Sequence, residues 1–315
     1  MSHKILVSDG LAEDGLAVLR LAGEVTLNPK ITPDDLLAVL PEYQALVVRS
    51  RTKVTQKVIE AGINLKVIGR AGVGVDNIDV AAAVARGIAI VNCPTAATVA
   101  VAEHTLGLLI SLARHIPEAN ASMKQGKWEK SALMGTELYS KTLGLIGLGR
   151  IGTEVAKRAA AFAMRIIAYD PYLSADQIRK RQAEPVTFDE VLTQSDYVSL
   201  HLPLTGETRG LLGSKQFGMM KKGARLICAA RGSVVDEEAL RAALDSGTLA
   251  AAALDVFSNE PPLADSIALH PKVIATPHIG AMTHEAQACA GVLIAEEVAA
   301  VLQGRRPRWR VVGNE

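Results

Sequence analysis

The sequence predicts an α/β protein of two doubly wound parallel-sheet domains with a cleft between them, and three observations carry that prediction. Short apolar, β-rich runs alternate with Ala-rich helical stretches along the whole chain, the pattern of parallel strands joined by crossover helices. The alternation completes one small sheet by residue 92 and begins again near residue 142. At 315 residues the chain also exceeds what one core holds, since single cores stop growing near about 250–300 residues.

Taken in order, KILVSDG, EVTLN, ALVVRS, LKVIGRAG and IAIVN read as the strands of the first sheet, with helices such as AEDGLAVLRLAG between them. The stretch VAVAEHTLGLLISLA, Val99 to Ala113, is the most apolar of the later chain, yet it carries Glu103 and His104. It falls short of the ~20 residues a membrane span needs and reads as a buried helix. TLGLIG, RIIAYD, DYVSLHLP, RLICAARG, AAALDVF and KVIATPH follow as the strands of a second, larger sheet. A helix from about His284 to Gln303 precedes GRRPRWRVVGNE, a segment placed to cross back to the first lobe. The expected division is therefore 1–98 with 286–315, and 99–285.

Composition narrows the function. Thirty-four Lys and Arg against 33 Asp and Glu leave a formal charge of +1, so no global field draws nucleic acid or an anionic membrane, and neither is an expected partner. The three cysteines, Cys93, Cys228 and Cys289, are far apart and lack CxxC spacing, which argues against a disulfide framework or a bound metal. No secretory signal opens the chain, and a reducing cytoplasm is the expected compartment.

Between a strand and an Ala-rich helix lies GLGRIG, with Gly147, Gly149 and Gly152 in GxGxxG spacing. Such glycines permit a tight turn, close approach to a pyrophosphate and close helix packing, while the helix N-terminus offers unpaired N–H groups to the anion. Eighteen residues past Gly152, Asp170 ends the next strand, where a carboxylate accepts from the adenine ribose hydroxyls and repels a 2′-phosphate. NAD is the expected cofactor, in a Rossmann-like domain.

Ligands of open parallel sheets sit outside the carboxyl ends of the strands, the edge that GLGRIG marks. At that same edge RLICAA leads to Arg231, AAALDVF to Glu260 and KVIATP to His278. A hydride transfer from a secondary alcohol needs a base for the hydroxyl proton, which His278 could supply. Glu260 could orient the ring and stabilise its charged form, and Arg231 could hold a substrate carboxylate in a fork.

RAGVGVDNID (70–79), GLGRIG with Asp170, HLPLTGETRGLL (201–212), ARGSVVDEEAL (230–240), ALDVFSNEPP (253–262) and PHIG (277–280) closely resemble the D-2-hydroxyacid dehydrogenase family. The resemblance runs over nearly the whole chain. It implies a nucleotide-binding domain inserted into a discontinuous substrate domain, and an Arg, Glu, His catalytic set falling on Arg231, Glu260 and His278. It also implies that Arg150 and Ile151 lie on the pyrophosphate, and that His201, Leu202, Pro203 and Thr208 line the adenine side. Ala229 and Asp255 should reach the nicotinamide, Asp255 accepting from the carboxamide, and Gly280 should let the backbone pass close to the ring.

On the substrate side, VVRSRTKVT puts Arg49 and Arg51 after a strand of the first lobe, a basic patch suited to a phosphorylated small 2-hydroxy acid. Successive backbone N–H groups at Val73 and Gly74 could form a carboxylate nest. One departure is Ala97, where the resemblance leads us to expect a substrate-holding asparagine. It favours, as an alternative, a reductase of small unphosphorylated keto acids. Relatives of the fold also act as NAD-sensing binding proteins, a further alternative. The long helix and MKQGKWEK, with Trp128 among lysines, suggest a homodimer or homotetramer.

Overall fold

The computed structural model describes residues 2–312. Residues 1 and 313–315, which the sequence reading assigns to the first lobe, lie outside the described residues. The chain divides into two compact units, one comprising residues up to Ala97 and from Ala281 onward, the other Thr98–Gly280.

In chain order the first unit opens with β1 (His3–Val7), α1 (Glu13–Ala22), β2 (Gly23–Leu27), α2 (Pro33–Val39), β3 (Ala45–Val48), α3 (Gln56–Ala61), β4 (Val67–Arg70), α4 (Val80–Ala85) and β5 (Ala89–Asn92). The second unit contributes α5 (Thr98–Arg114), α6 (Ile116–Lys124), β6 (Thr142–Ile146), α7 (Arg150–Ala160), β7 (Arg165–Tyr169), α8 (Ala175–Lys180), β8 (Glu184–Pro185) and α9 (Phe188–Gln194). It continues with β9 (Tyr197–Leu200), α10 (Ser214–Met219), β10 (Ala224–Cys228), α11 (Glu237–Asp245), β11 (Leu249–Leu254) and β12 (Val273–Ala275). The chain then returns to the first unit through α12 (His284–Leu302) and β13 (Arg310–Val311).

The first sheet has the order β13-β5-β4-β3-β1-β2, parallel except for β13, which runs antiparallel beside β5 through the pairs Arg310 with Val91 and Val311 with Ile90. Its order reverses between β1 and β3, so the loops that follow these two strands part at a topological switch point. Burial on both faces explains why β3 reads as the unbroken apolar run ALVV. One face packs on α1 and α12 through Leu16, Leu19, Ile294 and Val298, the other on residues such as Leu36, Ile59 and Ile78.

The second sheet, β12-β11-β10-β9-β6-β7-β8, is parallel throughout and reverses between β6 and β9. All five residues of β6 are buried. The break after α5 falls at His115, a non-glycine residue at φ +53 that is the N-cap of α6, and Pro117 sits in the first turn of α6, where a missing N–H costs nothing. The two helices are bent by 67° there, and among the described residues no single helix is long and apolar enough to cross a membrane.

The return segment is held by a buried carboxylate. Glu297 on α12 is 1% exposed and accepts from Arg308 Nε at 2.8 Å and from the Trp309 N–H at 2.9 Å. Replacing Glu297 by Ala should therefore cost about 1–3 kcal/mol of stability, the penalty of orphaning a buried partner. Faster amide exchange in β5 and β13, beside an earlier urea midpoint, is the expected result.

Candidate active site

Three loops that leave the carboxyl ends of β10, β11 and β12 bring Arg231, Glu260 and His278 together. His278 Nδ1 lies 2.7 Å from Glu260 Oε2, and the side chains are 44% and 39% exposed, open enough for a solute to reach. Because a carboxylate only accepts, the imidazole hydrogen on this side sits on Nδ1, and Nε2 is left to accept a proton. Glu260 Oε1 takes the Phe257 N–H at 3.2 Å. Partial burial pushes the Glu260 carboxyl up, but the hydrogen bond and charge of His278, the Phe257 amide and the charge of Arg231 outweigh it and hold it below the usual glutamate range. Arg231 Nη1 donates to the Ala230 carbonyl at 2.6 Å.

His278 adopts φ +54, the left-handed region, which costs a non-glycine residue on the order of 1 kcal/mol or more and persists only where the surroundings impose it. Asp255, directly after β11 and 1% exposed, imposes it. Its Oδ1 accepts from Thr276 Oγ1 at 2.6 Å and the Ile279 N–H at 2.9 Å, and its Oδ2 from the Gly280 N–H at 2.8 Å. His104 on α5 adds a contact to Oδ1 at 3.3 Å. Burial alone would raise the Asp255 carboxyl; these donors more than offset it and keep the group below the usual aspartate range. They also explain why the second unit ends at Gly280 rather than at the expected 285, since the turn is tied to β11 before α12 begins behind its Thr283 cap.

At the end of β6, Gly147 takes φ +89, and a Cβ there would meet the His201 carbonyl oxygen at 2.4 Å. A Cβ on Gly152 would strike the Gly147 carbonyl oxygen at 2.4 Å, whereas one on Gly149 would have nothing within 4 Å. α7 starts at Arg150 directly after Gly149, the arrangement in which a glycine-rich turn leads a helix N-terminus towards an anion. Asp170 Oδ2 accepts from the Leu148 N–H at 2.8 Å and Oδ1 from the Tyr172 N–H at 3.0 Å, fixing the carboxylate beside that turn with lone pairs to spare. These residues fit a dinucleotide.

Around them, His201 pairs with Ser199 Oγ at 2.9 Å, and burial pushes its pKa down to about 4, leaving a neutral ring. Leu202 packs on the core, and Pro203 and Thr208 close a local turn in which Thr208 Oγ1 donates to the Pro203 carbonyl at 2.7 Å. Arg150 and Ile151 open α7, and Ala229 follows β10.

In the first unit, Arg49 and Arg51 follow β3 at the switch point but differ in their commitments. Arg51 donates through Nε to Asp9 Oδ1 at 3.0 Å, through Nη1 to the Ile31 carbonyl at 3.2 Å and through Nη2 to the Ser8 carbonyl, so its fork is occupied by the fold. Arg49 gives its backbone N–H to Asp9 Oδ2, while its guanidinium hydrogen-bonds, among the described residues, to the Met282 sulfur at 3.6 Å. Desolvation lowers the Arg49 pKa against the raising effect of Asp9. The Val73 carbonyl is held by Asn92 Nδ2 at 2.6 Å, with Gly74 next to it, and Ala97 is 5% exposed.

With this geometry in view, residues 106–280 match the NAD binding domain of the D-isomer specific 2-hydroxyacid dehydrogenases, and the chain belongs to that family. Among relatives, it is 50% identical over 302 residues to a D-3-phosphoglycerate dehydrogenase of Methanocaldococcus jannaschii, covering 96% of this chain and 58% of that one. The chain thus spans little more than half the length of such relatives. Among solved structures, the TT0316 protein of Thermus thermophilus is 37% identical with TM-score 0.89, over 98% of this chain and 100% of that one. A glyoxylate reductase of Paecilomyes thermophila is 31% identical with TM-score 0.90, over 98% of each chain.

Thr276, Ile279 and His104 are the residues that sequence reading passes over. Thr276 stands two positions before His278, a detectable signal; His104 reads only as a charge that interrupts an apolar helix.

Replacing Asp255 by Asn should destabilise the protein. Since the native carboxyl titrates lower than an unfolded aspartate, near about 3.9, its ionic contribution is complete at neutral pH and lost only as pH falls through the lower, folded value. The stability gap between the variant and the parent should accordingly be full at pH 7 and close only in the acid range, in paired urea titrations.

Proposed function

We propose that the protein is an NAD-dependent dehydrogenase that oxidises 3-phosphoglycerate to 3-phosphohydroxypyruvate, an early step of serine biosynthesis, in the cytoplasm. The observation that carries this reading is the His278–Glu260 pair at 2.7 Å on the strand edge that also bears the glycine cradle. Bound NAD supplies the acceptor for the hydride that leaves C2. His278 Nε2 takes the hydroxyl proton as the ketone forms. Glu260 holds Nδ1–H and stabilises the resulting imidazolium, and Arg231 anchors the substrate carboxylate in its fork.

Gly147, Gly149, Arg150, Ile151 and Gly152 would hold the pyrophosphate, Asp170 the adenine ribose, and His201, Leu202, Pro203 and Thr208 the adenine side. Ala229 and Gly280 would flank the nicotinamide. For Asp255 we favour support of that end through the turn it anchors, because protein donors already occupy its carboxylate. Val73 and Gly74 would contribute backbone N–H groups to the substrate. Of the two arginines, Arg49 is the better phosphate ligand, since Arg51 would have to surrender bonds that join β1 to the loop after β3. A second copy of the chain would cover Ile116, Met123, Trp128 and Met134, which are 48%, 54%, 79% and 82% exposed.

Buried Ala97 favours a second reading, a glyoxylate or hydroxypyruvate reductase, because it supplies no polar group to a phosphorylated substrate. Comparing kcat/KM for 3-phosphoglycerate and D-glycerate with NAD, and for glyoxylate and hydroxypyruvate with NADH, separates the two. We expect the phosphorylated acid to be strongly preferred, and Arg49→Gln to erase that preference by raising KM for the phosphorylated acid. Faster turnover of the small keto acids would shift the assignment to the second reading.

Replacing His278 by Ala should lower kcat by at least ~10²-fold, the usual worth of a general base, with NADH affinity retained. Near-normal turnover in that variant would remove the proton-transfer role.

A further inference from the structure

His104 lies on the inward side of a helix whose buried residues are otherwise almost all apolar, among them Ala100, Val101, Leu108 and Leu109. Buried Thr105 returns its hydroxyl to the Val101 carbonyl at 2.8 Å and so satisfies itself within the helix. His104 instead reaches across to the sheet. Its Nε2 stands 3.2 Å from Thr276 Oγ1 and 3.3 Å from Asp255 Oδ1, and its side chain is 20% exposed.

The hydrogen placement follows from the partners. The Thr276 hydroxyl donates to Asp255 Oδ1 at 2.6 Å, so towards the imidazole it presents only lone pairs, as does the carboxylate. Nε2 must therefore carry a hydrogen and share it between two acceptors. The bond reaches the catalytic turn from both sides: Thr276 precedes His278 by two residues, and the carboxylate that His104 steadies grips the Ile279 and Gly280 amides just after it. A left-handed histidine stays in place only where its neighbours over-determine it.

We infer that His104 is a positioning residue for His278, acting through Thr276 and Asp255 without touching a reacting atom. The kinetic consequence rests on the proton-transfer reading given above; the structural one does not. Loss of the Nε2 donor leaves the Thr276 oxygen short of a partner and Oδ1 one donor poorer, which loosens the turn and spreads His278 over orientations.

Two variants of the full chain test this. His104→Leu keeps an apolar body and removes the donor; His104→Gln returns an N–H near the position of Nε2. In His104→Leu the Ile279 and Gly280 amides should exchange with deuterium ~10-fold faster, as expected for one lost net hydrogen bond, while amides of β6 and β9 are unchanged. kcat should fall by a similar factor with KM for NADH unchanged, and His104→Gln should recover both. If His104→Leu does not fold, Thr276→Val, which removes the relaying hydroxyl, must show the same local acceleration. Unchanged exchange at Ile279 and Gly280, or a glutamine variant no better than leucine, overturns the inference. The exchange readout needs no substrate, so a parent enzyme that turned over no 2-hydroxy acid would defeat the functional reading and still leave His104 decided.

Discussion

A carboxylate withdrawn from water at the end of β11 gathers the chemistry of the second unit around it. Left without donors, the Asp255 side chain would be costly to bury; surrounded by Thr276, Ile279, Gly280 and His104, it becomes the fixed point from which the turn at 276–280 hangs. Glu260, eighteen positions before His278 on the neighbouring loop, then meets an imidazole whose backbone is already set. Donors from α5, from the strand end and from the turn itself converge on one small group. The turn acquires a rigidity from a carboxylate that lies outside it.

The parallel sheets do the rest by geometry. In each, the order of strands reverses once, between β1 and β3 or between β6 and β9, and the loops after the diverging strands leave space at the carboxyl edge. In the second sheet that space holds the cradle of Gly147, Gly149 and Gly152 with Asp170 beside it. In the first it holds Asp9, Arg49 and Arg51. The two arginines, two residues apart, part company there because Arg51 meets the β1 loop with its guanidinium and Arg49 with its backbone N–H. One guanidinium is bonded into the fold, while the other meets the Met282 sulfur.

Much of this is legible in the chain because it is local. Strands buried on both faces advertise themselves as apolar runs, so ALVV and TLGLI are found without knowledge of their neighbours. The glycine spacing, Asp170 and the three strand-end residues lie in short segments whose meaning depends on a strand and a turn alone. What escapes is set by pairings across long stretches. The commitment of Arg51 depends on β1 lying beside β3, and that of Asp255 on a histidine from α5, some hundred and fifty residues earlier. Two-residue β8 is too short to leave a periodicity, and the left-handed His115 lies just past the apolar run Val99 to Ala113, where periodicity carries no sign of a bend.

The insertion of one unit inside the other sets an order of events on the ribosome. Residues 98–280 form a complete sheet with its own core, whereas the first sheet depends on α12 for Ile294, Ala295 and Val298 and on β13, which pairs with a strand more than two hundred residues upstream. As the chain emerges N-terminus first, five strands of that sheet are made early and must wait, with one apolar face covered by α1 alone, until α12 arrives. Nascent chains stalled between the two halves therefore expose apolar surface that α12 covers in the finished fold.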